Sequence, residues 1–498
     1  MKRILDTVHG YIMVSDELVK NIIDTPAFQR LRRIEQTSIR SVYPSARHDR
    51  FIHSLGVYHI GSLIVDHLRK EEEANDYWGE TSNNMSVIYN SYLVACLLHD
   101  VGHAPFSHTF EKYYGQKKDL ARKLADEVNS DNFTSDLEQV RALDDPNFHE
   151  YVSAYLAHHE FGEAISRLYL DSEFIVRMIT GIFYVADKDN HQIHNCFISL
   201  LHGKVIDADR LDYACRDVWA SGYSTSSIDL RRLISALHIK RNDDKDYVVC
   251  FEANSLNEIE GVLNVKDFQM RYVINHHVVN HEQWLLRQAA EKLALKLFPN
   301  EENGYDALGK IININALTDE IKIYDGHLKI HNLSDDDLIF LMKQFDDNEY
   351  YKQWSSRQYN HVALWKSPDE FYHFFPSISR TKTLKHKHFE SFVKQFISNE
   401  CKIDMNDILI TEAKFKPRVK MDSLYIIISQ DLVRYTDLYP NKKEVNEDIQ
   451  FYYVFIPKKL KESRKDLMAR KRNIIDNLRP ILVSMYMEKP TITTTEEN

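Results

Sequence analysis

From about Val14 to Leu297, apolar residues recur three and four positions apart, the spacing of helices that each bury one side. A rhythm sustained for so long commits more than half of the chain to packed helices. Glycine and proline, which interrupt helices, number only 14 and 12 in 498 residues, together well below the roughly 12% of an average protein. At about 100 to 200 residues per domain, the chain has room for two or three domains, each able to bury a core.

Local signals place the elements. Thr25 is suited to cap a helix and Pro26 to open it, which sets Phe28, Leu31 and Ile34 on one buried stripe. The spacing predicts further helices over about 54–69, 91–99, 151–169, 204–219 and 264–297, while the polar, acidic stretch 116–145 reads as an insertion. After Pro299 the character changes, and polar segments separate short β-branched and aromatic runs at 408–411, 424–429 and 451–456. A charged helix over about 463–478 and a Thr-rich end follow. The expected fold class is mainly α: a helical domain over 1–298, a smaller α+β domain over 299–489, and a disordered tail over 490–498.

A net charge of −11 opposes sequence-blind nucleic-acid binding over the whole surface, so any such contact needs a local basic patch. Cys96, Cys196, Cys215, Cys250 and Cys401 form no CxxC pair, which argues against a zinc ribbon or a disulfide framework. With no apolar leader at Met1 and no run of about 18 apolar residues, a cytoplasmic protein without membrane spans is expected.

The chemistry concentrates in Leu97-Leu98-His99-Asp100-Val101-Gly102-His103-Ala104-Pro105-Phe106-Ser107-His108. Adjacent residues on a regular helix do not share a face, so His99 and Asp100 can serve one ion only near a helix end, with partners from elsewhere. Arg50-Phe51-Ile52-His53 offers another imidazole, and Asp207-Ala208-Asp209-Arg210-Leu211-Asp212-Tyr213 sets carboxylates into an apolar helix. Asp209, Tyr213 and Asp217 fall in one line along that helix, and a buried acid needs a cation or hydrogen bonds. A set of two His and two Asp suits Mn, Fe, Zn, Co or Mg.

His53, then His99-Asp100, then Asp209 resembles the HD superfamily of metal-dependent phosphohydrolases, and the context resembles its deoxynucleoside triphosphate triphosphohydrolase branch. The similarity runs over about 2–297 and includes His9-Gly10, the 24–32 block, Arg50 to Val57, His99 to His108, His159-Glu160 and Asp207 to Asp217. It implies that His53, His99, Asp100 and Asp209 hold a divalent metal ion. It further implies that His103, His108 and His159 line the phosphates, one of them as general acid, with Glu111 beside them. Gln36, Arg50, Arg210, Tyr213, Asp217 and Lys266 would bind substrate, Lys266 standing where the family has Arg and so losing the bidentate fork. Lys2, Asp24, Gln29 and Arg32 would bind an activating nucleotide between subunits of a dimer or tetramer, with the C-terminal domain serving regulation or oligomerisation.

Two features depart from the family pattern. Thr37-Ser38-Ile39-Arg40 replaces the glycine-containing segment that closes over the sugar, and Glu111 stands where a member of the family has Asp. The implied reaction is hydrolysis of a deoxynucleoside triphosphate to deoxynucleoside and inorganic triphosphate. The same metal set would serve another HD phosphohydrolase or phosphodiesterase acting on nucleoside monophosphates or on cyclic or oligomeric nucleotides. An idle nucleotide sensor or nucleic-acid-binding protein would carry a broken set, and this set is whole.

Overall fold

The computed structural model describes residues 1–143, 145–223, 228–323, 326–378, 389–415, 424–439 and 449–487. It is mainly helical, with small sheets, and divides into two compact units. The first comprises Met1–Gln269, Arg287–Glu349 and Val419–Lys443, and the second Met270–Leu286, Tyr350–Arg418 and Glu444–Asn498. This differs from a single boundary at residue 298. The strand Tyr425–Ile428 pairs in parallel with Tyr247–Glu252, which returns a late segment to the first unit's four-stranded sheet. Residues 490–498, expected to be disordered, lie outside the described residues.

In the first unit, Asp49 caps the helix Arg50–Glu72 by accepting from the Ile52 N–H at 3.0 Å. Its buried residues include Phe51, Leu55, Ile60, Ile64 and Leu68, alongside His53. Thr81 caps Ser82–Leu98, an apolar helix that ends just before the His99-Asp100 pair. The helix Ala208–Ser221 opens on Asp207, whose side chain accepts from the Arg210 N–H at 2.6 Å. Its buried side mixes apolar and charged residues: Ala208, Leu211 and Ala214 are buried together with Asp212, Arg216 and Asp217, while Cys215 and Val218 are half-buried. Gly56 makes this possible, because a Cβ there would stand 1.9 Å from Asp212 Oδ1.

The stretch 116–145 is part of this packing rather than a loose insertion. It forms the helices Lys117–Val128 and Asp131–Leu143, burying Leu120, Leu124, Phe133 and Leu137. Asp136 reaches 2.9 Å to Arg177, both fully buried, a charge pairing that burial requires.

The second unit is built on the strand Ile449–Pro457, flanked antiparallel by His361–Ala363 and Leu409–Phe415. Trp365, Phe371, Phe375 and Phe451 pack as its core, with Ile474, Leu478 and Leu482 of the helix Arg464–Met487.

Candidate metal centre and its histidine cluster

Four donors converge at the end of the helix Ser82–Leu98. His99 is that helix's C-cap, and Asp100 lies in the following turn, so the adjacent pair escapes the helical geometry that would split it. His99 Nδ1 donates to the Cys96 carbonyl at 3.0 Å and His53 Nδ1 to Asp212 Oδ2 at 2.6 Å, which leaves both Nε2 lone pairs facing inward, 3.4 Å apart. His53 Nε2 lies 2.9 Å from Asp209 Oδ1 and 3.5 Å from Asp100 Oδ2, and His99 Nε2 lies 3.7 Å from Asp209 Oδ1.

Two carboxylates facing two inward imidazole nitrogens call for positive charge among them, so the donor set fits a divalent ion. The charge balance agrees. Burial opposes a proton on His53, yet Asp209 and Asp212 raise its pKa to about 10: the carboxylates draw positive charge to His53 Nε2, and a metal ion would take the place of that proton. Burial likewise opposes ionised Asp100, yet Arg50, His99 and His103 hold it well below the carboxylate range.

A shell of charge pairs fixes the centre. Asp212, fully buried, accepts from His53, from His9 Nε2 at 2.6 Å and from Arg216 at 2.8 and 2.9 Å, and Arg216 NH1 also reaches Asp6 at 2.9 Å. Arg50 donates to Asp100 at 2.6 Å, to Ser107 Oγ at 3.0 Å and to the Gln36 carbonyl at 3.2 Å. Each of its three nitrogens thereby has a partner within the protein, and one of them holds Asp100.

Beyond Asp100, His103, His108 and His149 surround the Glu111 carboxylate at 2.8, 3.0 and 3.0 Å. His103 and His149 stack with ring centroids 4.0 Å apart, and His103 Nε2 stands 3.1 Å from Asp100 Oδ1. Burial and the Arg50 charge push His103 down to about 3. Burial acts the same way on His149, but Glu111 overrides it and lifts the group to about 9. The stack therefore pairs a neutral imidazole with a protonated one at pH 7. Gly102 lets the turn press against the helix Phe148–His159, since a Cβ there would stand 2.3 Å from the Ser153 nitrogen.

The other expected site residues divide. Asp217 is held by His48 Nε2 at 2.7 Å, and Tyr213 accepts from Arg210 Nε at 3.2 Å. Arg210 NH1 lies 3.5 Å from Asp207 Oδ2 and makes no hydrogen bond among the described residues, and the buried Gln36 Oε1 has none either. Lys266 lies in the last turn of Leu256–Phe268.

His159 does not join the cluster. It is 44% exposed and paired with Glu127 at 2.9 Å, ten residues along its helix from His149, or about 15 Å. The helix carries two His–Glu pairs, 149–150 and 159–160, and the one beside the HD turn is the first. Asn147 and Glu150 form a capping box that opens this helix, which sets His149 in its first turn. Asp212, His9 and His48 have no sequence signal for these roles, because a side chain that orients another has no spacing rule of its own.

At the candidate regulatory face, Lys2 Nζ lies 3.6 Å from Asp24 Oδ2, both about half exposed. Gln29 donates to the Ile23 carbonyl at 2.8 Å and accepts from Arg32 Nε at 2.8 Å, while the Arg32 guanidinium lies 3.5 Å over the Phe51 ring. Thr25 caps the helix Pro26–Gln29 as the sequence suggested.

Residues 50–189 match the HD domain family. The chain carries an HD domain. Relatives extend the likeness: the HD-domain chain is 27% identical over 349 residues to the uncharacterised protein YwfO of Bacillus subtilis, covering 69% of this chain and 66% of that one. It is 27% identical over 336 residues to the deoxynucleoside triphosphate triphosphohydrolase SAMHD1 of Gallus gallus, covering 65% of this chain and 50% of the relative. The chain thus spans between half and two thirds of the length of these relatives. A crystal structure of a hypothetical protein from Aquifex aeolicus shares the fold, with a TM-score of 0.60 at 21% identity over 95% of this chain and 99% of the other. Among the described residues no helix is long and apolar enough to cross a membrane.

Proposed function

We propose that this HD-domain protein hydrolyses deoxynucleoside triphosphates to deoxynucleoside and inorganic triphosphate. The observation that carries this reading is the convergence of His53, His99, Asp100 and Asp209 beside the stacked His103 and His149. The four donors would hold the divalent ion, which when bound lowers the pKa of water and polarises a phosphate. The chain's own groups account for the rest. His149 holds a proton at neutral pH and donates it to the departing 5′ oxygen, while neutral His103 keeps its partner's ring in place by stacking. Arg210, with NH1 unbonded, offers charge to the phosphates, and Gln36, with its amide oxygen unbonded, faces the sugar. Arg50 holds Asp100 in its ligand orientation.

The likeness to SAMHD1 of Gallus gallus supports the substrate class. A second reading, another HD phosphohydrolase acting on nucleoside monophosphates or on cyclic or oligomeric nucleotides, draws on one segment: Ser38 Oγ meets Thr109 Oγ1 at 3.2 Å and Ile39 is buried. These side chains stand where the family pattern has glycines. Incubating the metal-loaded protein with each nucleotide class and separating the products decides between the two. Turnover of deoxynucleoside triphosphates alone supports the first, and turnover of monophosphates or cyclic nucleotides in their place supports the second.

The reading extends to control. Lys2 pairs with Asp24 at 3.6 Å and Arg32 with Gln29 at 2.8 Å, and this ammonium, acid, amide and guanidinium form a set that suits the edge of a purine of an activating nucleotide bound between subunits of a homo-oligomer. Sedimentation and rate should then rise together as nucleotide is added.

A further inference from the structure

A second cluster of metal-ligating side chains lies on the Arg50–Glu72 helix, well away from the first. His67 and Glu71 stand one turn apart on one face, and the strand Leu237–Arg241 brings His238 against them. One nitrogen or oxygen from each of the three falls within 4.8 Å of the others. His238 Nδ1 is 2.7 Å from Glu71 Oε1, and His67 Nε2, 3.9 Å from the same oxygen, donates to the Leu237 carbonyl at 2.7 Å, a hydrogen bond that an ion would replace. Ligands around a tetrahedral zinc ion with bonds near 2.0 to 2.1 Å stand about 3.3 Å apart, and these separations bracket that value. His67 lies fourteen residues beyond His53 on the same helix, or about 21 Å.

We propose that His67, Glu71 and His238 form a second divalent-metal site, of the two-His-one-Glu kind that takes zinc, with a water as fourth ligand. Three further observations point to an ion. Glu252, diagonal to His238 across the Leu237–Arg241 and Tyr247–Glu252 pair, lies 3.3 Å from His238 Nε2. A carboxylate on the outer nitrogen fixes the tautomer that turns the Nδ1 lone pair to a metal. Among the described residues, the ion-pair partners of Glu71 are both imidazoles, so its charge meets no lysine or arginine. The three side chains are 19 to 22% exposed, which gives an ion a path in and leaves a position for exchangeable water. Such an ion clamps the helix that carries Arg50 and His53 to the Leu237–Arg241 strand. It acts on stability through occupancy and takes no part in the chemistry.

The test counts zinc and cobalt bound per full-length chain after equilibration with buffered metal, and records the cobalt absorption spectrum. Wild type should bind two ions, with melting temperature rising with zinc concentration. Glu71→Gln and His238→Ala should bind one and keep hydrolytic turnover. His238→Cys should restore the second ion and add a thiolate-to-cobalt charge-transfer band absent from wild type, which also answers for any loss of fold in the alanine variant. The proposal is overturned if His238→Ala and Glu71→Gln bind as many ions as wild type, or if His238→Cys binds cobalt without that band. A wild-type chain that holds a single ion, lost in Asp209→Asn, overturns it as well while leaving the HD centre standing.

Discussion

The metal centre and the candidate regulatory face begin from similar residue types and meet opposite fates. At the centre, burial forces Asp100 and Asp212 to find partners, each shared by two or more cations or imidazoles, and Asp209, 38% exposed, is still shared by His53 and His99. At the face, Lys2 and Asp24 sit half in solvent at 3.6 Å, where an ion pair is worth about 0 to 1 kcal/mol. Burial therefore makes the first arrangement rigid before any ligand arrives, while the second gains its order from what binds it.

The sharpest way to break this contrast is to remove a ligand. Asp209→Asn or His99→Ala should abolish turnover and release the HD-site ion, because each removes one of the four donors that converge there among the described residues. Asp207→Asn should keep the ion, since Asp207 caps the Ala208–Ser221 helix, and should leave denaturant unfolding nearly unchanged, because Asn caps a helix about as well as Asp. Equal metal loss from the Asp207 and Asp209 variants would show that the wrong carboxylate was assigned.

Next in size is the comparison of the two ends of one helix. His149→Ala should lower kcat by about 10²- to 10⁴-fold, whereas His159→Ala should leave it within about twofold. The pH profile follows from the raised pKa of His149: the protonated form is the acid, so kcat should fall as pH rises through about 9. The same shift adds stability that is fully present below about 6.5 and lost as pH rises through about 9. A flat alkaline limb in wild type would remove His149 from the proposed role.

Asp212→Asn should weaken metal binding by about 10- to 100-fold, as expected for a group that orients a ligand. The smallest intrinsic effect belongs to the exposed face, where Asp24→Ala with Arg32→Ala should leave the unactivated rate and the unfolding midpoint nearly unchanged and remove the response to added nucleotide. A double variant that still responds like wild type would leave these residues as the start of a helix.

These contrasts also explain what the sequence made legible. The His53, His99-Asp100, Asp209 set could be read because ligands for one ion must come from a few residue types at helix ends, and the helices themselves followed from apolar spacing. His149 could not be separated from His159 by composition, since both precede a glutamate on one helix; only the position of the HD turn distinguishes them. The strand Tyr425–Ile428 was readable as a strand but not as a partner of Tyr247–Glu252, because pairing across such a separation leaves no local trace. The buried helices of 116–145 looked polar because their apolar residues form a narrow stripe.

The most direct test of the central claim follows the first product. Metal-loaded protein is mixed with a deoxynucleoside triphosphate in ¹⁸O-labelled water and sampled at early times. The account predicts intact triphosphate as the primary product, with the label on it and none in the 5′ hydroxyl of the deoxynucleoside, since water attacks phosphorus and the 5′ oxygen leaves with a proton from His149. Orthophosphate or pyrophosphate appearing first, with no triphosphate, would contradict it.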